Sequence, residues 1–277
     1  MSMLFTSYVF ITSLDERYFR LPLQDIPTVE WCKELRNISE PRNPVCLISG
    51  PGSGNTWLRY LLQQATGIIT GSVYKDESLL MQGFPGESRK DGSVLLVKSH
   101  GPMDFTSNLV QFDSVVLLIR NPKDSILAAF NVMYGLHLKL KENVTEDVIF
   151  HNMHNIHDIV APPSIFGEFG GNWSRVVNCF IIAWTALYTE WLTKYHGPMH
   201  VVFYENLVED TRNELQAILD FLNVTVSSWD ITCAIHRKSG LDNLFRHVKK
   251  YKYFNPFTKD MYEKMELAQN KVYDLVK

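Results

Sequence analysis

Apolar residues follow two different spacings along this chain, and the two spacings alternate. Four continuous runs rich in β-branched residues are typical of strands that are covered on both faces. They are the run that starts at Val45, then Val94–Lys98, Ser114–Ile119 and His200–Tyr204. Four other stretches repeat apolar residues every three or four positions, which predicts helices. They are Asn55–Ala65, Pro122–Tyr134, about 173–195 and Asp210–Leu222. The alternation predicts an α/β fold, with a mostly parallel central sheet flanked by helices on both faces.

The first 43 residues are interpreted as a lead-in, and residues 44–277 as a single domain. Within the lead-in, Met3–Leu14 is mostly apolar, but it is shorter than the roughly 20 residues of a membrane span. A signal peptide would carry a lysine or arginine before its apolar stretch, and none precedes this one. A packing arm is expected, with a truncated membrane anchor as the alternative. Residues 142–171 lack clear periodicity and are expected to form a surface excursion that covers a site.

Charge and cysteine content narrow the classes of partner. The chain has 27 basic and 30 acidic residues, so no global field favours nucleic acid and any anion must be bound by local groups. Four cysteines without a C-x-x-C pair argue against a zinc site and against a disulfide-dense scaffold. They leave one bridge open, while Cys46 and Cys179 are expected to be buried thiols.

A glycine-rich turn links the first predicted strand to the first predicted helix. Gly50, Gly52 and Gly54 let the backbone curl, so that several N–H groups point into one concavity. The following helix adds the positive end of its dipole, which predicts an anion site and a sheet of P-loop type. A triphosphate-binding loop carries a lysine where this chain has Asn55. The loop is therefore expected to hold a phosphate other than the β- and γ-phosphates of a magnesium nucleotide.

Two further predicted strands end in residues that carry chemistry. Ligands bind beyond the carboxyl ends of strands in open parallel sheets, and these two strands lead into Lys98 with His100 and into Arg120. An imidazole can accept a proton from a hydroxyl, and a lysine can neutralise charge on a transferred group or leaving oxygen. We expect transfer of an anionic group to a hydroxyl, with His100 as the base and Lys98 as the cation.

His151, His154 and His157 form a rival pattern of metal-ligand type. The first two histidines could share one helix face with Glu146 or Asp147 nearby. The third would point about 240° away from the first. No metal site is therefore expected.

Taken together, these segments resemble the sulfotransferases that use 3′-phosphoadenosine 5′-phosphosulfate (PAPS). The sequence PGSGNTW at 51–57 is similar to that family's P-K-S-G-T-T-W loop, and KSH at 98–100 to its K-T-H strand end. IRNPKD at 119–124 is similar to its R-N-P/A-x-D segment, and FYEN at 203–206 to its F-Y-E-D stretch. The resemblance covers residues from about 44 to 265. The GSGNTW form, with FPGE at 84–87, is most similar to the membrane-bound WSC-domain sulfotransferases, which act on sialic-acid glycans. The cysteine-rich WSC module itself is not expected within these residues.

The resemblance implies PAPS as co-substrate and a cofactor-binding role for each matching residue. The residues that would hold the 5′-phosphosulfate are Gly52, Ser53, Gly54, Asn55 and Thr56. Arg120 would grip the 3′-phosphate, Tyr204 would line the same site, and Trp57 would either stack near the adenine or anchor its helix. Arg246, Lys249 and Lys250 resemble the segment that closes over the 3′-phosphate, with a solvated charge run as the alternative.

Two positions depart from the family pattern. Gly52 stands where the family has its loop lysine, and Ala128 stands where it has a serine ligand of the 3′-phosphate. Ser125 or Asn131 would have to substitute for that serine. These departures leave open whether the loop supports full activity.

The expected function is transfer of a sulfuryl group from PAPS to a hydroxyl acceptor, expected to be a glycan. Four N-x-[ST] sequons favour a Golgi or secretory lumen with membrane association over the alternative, a cytoplasmic location. They are Asn37, Asn143, Asn172 and Asn223. Two other functions stay open: a P-loop small-molecule kinase, which Gly52 and Asn55 disfavour, and a nucleotide-binding pseudoenzyme, which Gly52 and Ala128 suggest.

Overall fold

Five parallel strands form one sheet at the centre of the protein. The computed structural model describes residues 29–141, 160–168, 170–239 and 254–276. The strands are β1 Val45–Ser49, β2 Gly71–Ser72, β3 Leu96–Ser99, β4 Ser114–Ile119 and β5 Met199–Phe203. Their spatial order is β2-β3-β1-β4-β5, and every pairing is parallel. The predicted parallel sheet is confirmed. The strand that the apolar pattern missed, β2, has only two residues.

Helices connect the strands and cover the sheet. Before β4 they are α1 Asn55–Thr66, α2 Glu77–Met81 and α3 Met103–Leu109. After it come α4 Pro122–Lys141, α5 Pro163–Glu168, α6 Gly170–Lys194, α7 Tyr204–Glu209, α8 Thr211–Phe221, α9 Ser228–His236 and α10 Lys259–Tyr273. The four predicted helices correspond to α1, α4, α6 and α8. Helix α4 continues seven residues past its predicted end at Tyr134.

Alternate residues of the central strands face opposite sides of the sheet, and so the protein has two apolar cores. Cys46 and Ile48 of β1 belong to the core that α4, α6 and α10 cover. Val45 and Leu47 belong to the core that α1, α8 and α9 cover. Because both faces are buried, every position of β1 is apolar up to Ser49. Helices on both faces confirm the predicted architecture.

Helix α6 is the most apolar long helix in the described part of the chain. By length and composition alone, Trp173–Lys194 would be able to cross a membrane. Its Trp184, Tyr188 and Trp191 side chains are fully buried inside the domain, against the sheet and the neighbouring helices. One face of α6 therefore serves as a core element.

A disulfide ties the lead-in to the main domain. Cys32 is bonded to Cys233 of α9, across a sequence separation of 201 residues. The bridge that the sequence left open is therefore present. Cys46 is buried as predicted, whereas Cys179 is only partly buried. The apolar stretch Met3–Leu14 lies outside the described residues.

Candidate active site

Three neighbouring strands deliver the predicted chemical groups to one edge of the sheet. β1 lies between β3 and β4, so the glycine loop that follows β1 is flanked on each side. Lys98 and His100 come from the end of β3, and Arg120 directly follows β4. The structure thus brings together residues that the sequence placed at three separate strand ends.

The glycine loop adopts backbone conformations that side chains would disturb. Gly52 has φ +74°, and a Cβ there would lie 2.4 Å from Ser125 O. Gly54 has φ +88°, and a Cβ there would lie 2.5 Å from the Tyr204 ring. Left-handed φ values favour glycine. The two glycines therefore let helix α4 and Tyr204 pack directly against the loop.

The start of α1 is open to an anion. Gly54 is the N-cap residue, no side chain caps the helix, and no acidic residue lies in its first turn. The first amides of a helix lack intrahelical partners, and the helix dipole favours negative charge there. Thr56 lies in this first turn and is only partly buried. These groups fit a phosphate or sulfate held by backbone and hydroxyl donors.

His100 is held as a neutral base. Its Nδ1 lies 2.8 Å from Ser49 O, and since a carbonyl only accepts, Nδ1 carries the hydrogen and Nε2 the lone pair. Tyr74 holds the other side, because its hydroxyl accepts from His100 N at 3.0 Å and its ring stacks on the imidazole. Burial, with the nearby Lys98 charge, lowers the pKa of His100 to about 3. The predicted base is therefore neutral at physiological pH.

The Lys98 side chain lies buried beside this histidine. Its side chain is 8% exposed, and its Nζ lies 5.9 Å from the Tyr74 ring centroid. The ring also stacks on His100, so Tyr74 brings the two predicted catalytic residues together. Burial lowers the pKa of Lys98, and the carboxylate of Glu87 opposes that effect.

Arg120 lies against the glycine loop itself. Its Nη1 donates to Gly52 O at 2.8 Å, and its guanidinium lies 4.3 Å from the Tyr204 ring centroid. Its Nε is buried and has no hydrogen-bond partner among the described residues. Position 52 carries no cationic side chain, but Arg120, which directly follows β4, places a cation at the loop. The Tyr204 ring packs against both Arg120 and Gly54, and its role in cofactor binding stays a prediction.

Ser53 and Ser125 lie beneath the loop rather than at its surface. Both are buried, their Oγ atoms are 3.4 Å apart, and Ser53 Oγ is 3.3 Å from Tyr188 Oη. Ser125 Oγ also donates to Arg120 O at 3.4 Å. A direct contact between Ser125 and the 3′-phosphate stays a prediction. The amide oxygen of Asn131 accepts from Ala161 N, so this side chain holds a loop.

Asn55 and Trp57 connect α1 to two different parts of the fold, the end of β1 and the turn after α9. Asn55 Nδ2 donates to Ser49 Oγ at 3.0 Å, which links the loop to the strand end that holds His100. Trp57 Nε1 donates to Lys238 O at 3.0 Å, and its ring packs edge-on against Tyr204. Trp57 therefore links α1 to the turn that follows α9, and stacking near the adenine stays a prediction.

Sequence reasoning missed three residues that support the site. Tyr188 of α6 accepts from Gly50 N and donates to Leu118 O, and burial raises its pKa to about 12. Glu205 Oε1 accepts from Asn121 N and Nδ2, which orients the segment after Arg120. Tyr74 carried no sequence signal, and Tyr188 had only that of a core helix. Glu205 lay within the FYEN stretch.

Some predicted residues lie outside the described part of the chain. They are Arg246, Lys249 and Lys250, together with His151, His154 and His157. Among the residues that are described, no group of three or more histidine, cysteine or acidic side chains is arranged to hold a metal.

A known family and known relatives match most of this chain. The model of the sulfotransferase domain matches residues 42–267. WSCD family member AAEL009094 of Aedes aegypti is 34% identical over 274 residues, which cover 89% of this chain and 78% of that protein. WSCD family member CG9164 of Drosophila melanogaster is 38% identical over 231 residues, and the match covers 83% of this chain and 65% of the fly protein. The chain thus spans slightly less than two thirds of the fly relative.

Among solved structures, mouse sulfotransferase SULT7A1 complexed with PAP is similar with a TM-score of 0.46 and 15% identity, over 83% of each chain. The domain match covers most of this sequence, and the mosquito relative is covered over more than two thirds of its length. The chain therefore belongs to the sulfotransferase domain family and, within it, to the WSCD proteins.

Proposed function

We propose that this protein transfers a sulfuryl group from PAPS to a hydroxyl of a glycan acceptor. The observation that carries the proposal is the meeting of three strand ends: the open glycine loop, the Lys98 and His100 pair, and Arg120. An anion cradle, a neutral base and cations at one edge suit group transfer between an activated anion and a hydroxyl.

Each residue has a separate task in this reaction. The glycine loop holds the phosphosulfate, whose sulfur is the centre that the acceptor oxygen attacks. His100 Nε2 accepts the hydroxyl proton as the new sulfur–oxygen bond forms. The bond from sulfur to the phosphate oxygen breaks, and the Lys98 ammonium and the α1 amides stabilise the charge on that oxygen. Bound adenosine 3′,5′-bisphosphate is released, and His100 returns its proton to solvent.

PAPS fits the loop better than a magnesium triphosphate does. The position of the triphosphate lysine is Asn55, whose amide is engaged with Ser49. No side chain fits at Gly52 without displacing Ser125 O. Arg120 lies against the loop, and its Nε has no hydrogen-bond partner among the described residues. It suits the remaining phosphate, because a guanidinium binds phosphate through paired hydrogen bonds.

The proposed cellular compartment depends on the disulfide bond. The Cys32–Cys233 disulfide joins two segments far apart in the chain, and such bonds persist in oxidising compartments. A Golgi or secretory lumen, where glycans are built, is therefore the proposed location. Membership of the WSCD proteins, together with the sequence resemblance, supports a sialylated glycan as acceptor.

Calorimetry separates this proposal from its rivals. Adenosine 3′,5′-bisphosphate should bind without magnesium, and ATP with magnesium should bind far more weakly. The variant Arg120→Gln should lose about 10- to 100-fold in bisphosphate affinity, as expected for one charge-assisted interaction. Lys123→Gln, an exposed change close by, is the control. Tight binding of magnesium ATP and none of the bisphosphate would support the kinase alternative.

Turnover needs a second assay. Labelled PAPS should transfer its sulfuryl group to sialylated glycans in preference to desialylated glycans, phenols and steroids. Bisphosphate binding without transfer to any acceptor class would support the pseudoenzyme alternative instead.

A further inference from the structure

A fully buried ion pair lies beside the strand that carries Lys98. Arg59 Nη1 donates to Glu87 Oε1 at 2.6 Å, and the two side chains are 0% and 1% exposed. The rest of the guanidinium is fixed by Thr70, since Nε donates to its Oγ1 at 3.0 Å and Nη2 to its carbonyl at 3.2 Å. Buried ion pairs often contribute little net stability compared with apolar residues of similar volume. Stability alone therefore does not account for this pair.

Only one of the two carboxylate oxygens of Glu87 is paired with Arg59. Its Oε2 is buried and has no hydrogen-bond partner among the described residues, because Arg59 contacts only Oε1. In a buried environment of low dielectric, such a carboxylate acts on nearby charges more strongly than it would in water.

Backbone pairing places Glu87 and Lys98 on the two sides of β2. Ser72 of β2 is the register partner of Lys98, and Val73 N donates to Lys98 O at 3.0 Å. On the other side, Ser72 N donates to Arg89 O and Ser88 N donates to Tyr74 O. The segment that contains Glu87 therefore lies along one side of β2, and Lys98 lies along the other side, with this two-residue strand between them.

We propose that Glu87, held by Arg59, is a positioning residue for Lys98: its buried carboxylate supplies the opposite charge that keeps the ammonium protonated beside the glycine loop. Arg59, Lys98 and Glu87 together carry a net charge of +1, which suits an anionic donor. The other groups that act on Lys98 are Asp76, which favours its charged form, and the neutral His100 and Tyr74. The assignment of Lys98 to catalysis rests on the proposed sulfuryl transfer.

The variant Glu87→Gln tests this role with little change of shape. The amide oxygen still accepts from Arg59, but the negative charge is gone. Arg59 does not lose its proton in proteins, so Lys98 loses its own at a lower pH. The alkaline limb of kcat/KM for sulfuryl transfer should move to lower pH, and activity above the new limb should fall about tenfold for each pH unit by which the limb moves. Activity below that limb should stay near wild type.

A double variant distinguishes charge from structure. Arg59→Met with Glu87→Gln removes one charge of each sign and leaves Lys98 without a buried cationic neighbour on α1. The alkaline limb should then return toward its wild-type position, although the protein loses more hydrogen bonds. A purely structural pair predicts an unshifted limb in the single variant, which would overturn the proposal.

Thermal unfolding gives a readout that needs no donor or acceptor. A lysine whose pKa is lowered in the folded state makes stability rise with pH between that value and its ordinary pKa of 10.5. In Glu87→Gln this rise should begin at lower pH, and the difference should vanish in a Lys98→Met background. Glu263→Gln, in an exposed ion pair with Lys259, should leave the curve unchanged.

The two readouts separate the two hypotheses. An unshifted stability curve in Glu87→Gln would overturn the role of Glu87, whatever the reaction is. A shifted curve in a wild-type protein that transfers no sulfuryl group would support the coupling of Glu87 to Lys98 and contradict the proposed function.

Discussion

A lysine introduced at position 52, where the P-K-S-G-T-T-W loop that this segment resembles has one, should damage this protein. Gly52 lies at φ +74°, with space for a Cβ blocked by Ser125 O at 2.4 Å and Ala129 N at 2.9 Å. Both obstacles are backbone atoms of α4, so no side-chain rotation relieves them. The Arg120 guanidinium already contacts Gly52 O.

The size of the effect follows from two contributions. A left-handed conformation costs an L-residue about 1 to 2 kcal/mol, and forcing atoms into a packed interior adds about 1 to 3 kcal/mol. Gly52→Lys should therefore lower the free energy of unfolding by about 2 to 5 kcal/mol. For a domain of this size the melting temperature should fall by roughly 3 to 9 °C.

Differential scanning calorimetry measures the stability change, and titration with adenosine 3′,5′-bisphosphate measures the effect on binding. Gly50→Ala is the matched control: φ is ordinary there, and the nearest atom to a Cβ is Tyr188 Oη at 3.3 Å. The Gly50→Ala protein should lose markedly less free energy of unfolding than Gly52→Lys. A Gly52→Lys protein that melts like wild type and binds the bisphosphate more tightly would refute this account of the loop.

Two further perturbations test the base and the disulfide. Because burial lowers the pKa of His100 to about 3, the acid limb of kcat/KM should lie near that pH, not near 6.5. His100→Ala should lose about 10²- to 10⁴-fold in sulfuryl transfer while binding the bisphosphate normally; a fully active variant excludes His100 as base. Replacing Cys32 and Cys233 by serine should lower the unfolding free energy by up to about 5 kcal/mol, because the bridge closes a loop of about 200 residues. Cys179→Ser is the control in the same melting experiment, and equal melting of the double variant and wild type would contradict the prediction.

The strand–helix alternation and the three strand-end motifs could be read from the sequence because each depends on neighbouring residues. A strand buried on both faces must be continuously apolar, as Ser114–Ile119 is. A loop that curls around an anion needs glycine, as Gly52 and Gly54 are. The order of motifs along the chain then placed Lys98, His100 and Arg120 at one edge of a parallel sheet.

Other features of the site had no local signature. The two residues of β2 show no periodicity, and Tyr74 and Tyr188 are ordinary aromatic residues until the fold brings them to His100 and Gly50. Arg120 contacts the glycine loop because β4, which it follows, pairs with β1, which leads into that loop. Sequence spacing contains none of these distances.

By itself, the sequence determined the fold class, which the structure confirms. It also predicted a phosphate-binding loop, a base and neighbouring cations, since these predictions depend on residue type and short-range order. Only the tertiary structure decided that Cys32 pairs with Cys233, that His100 is neutral with its proton on Nδ1, and that Glu87 lies across β2 from Lys98. The burial of a side chain and the charges around it depend on residues that are distant in the chain. Only folding brings those residues together.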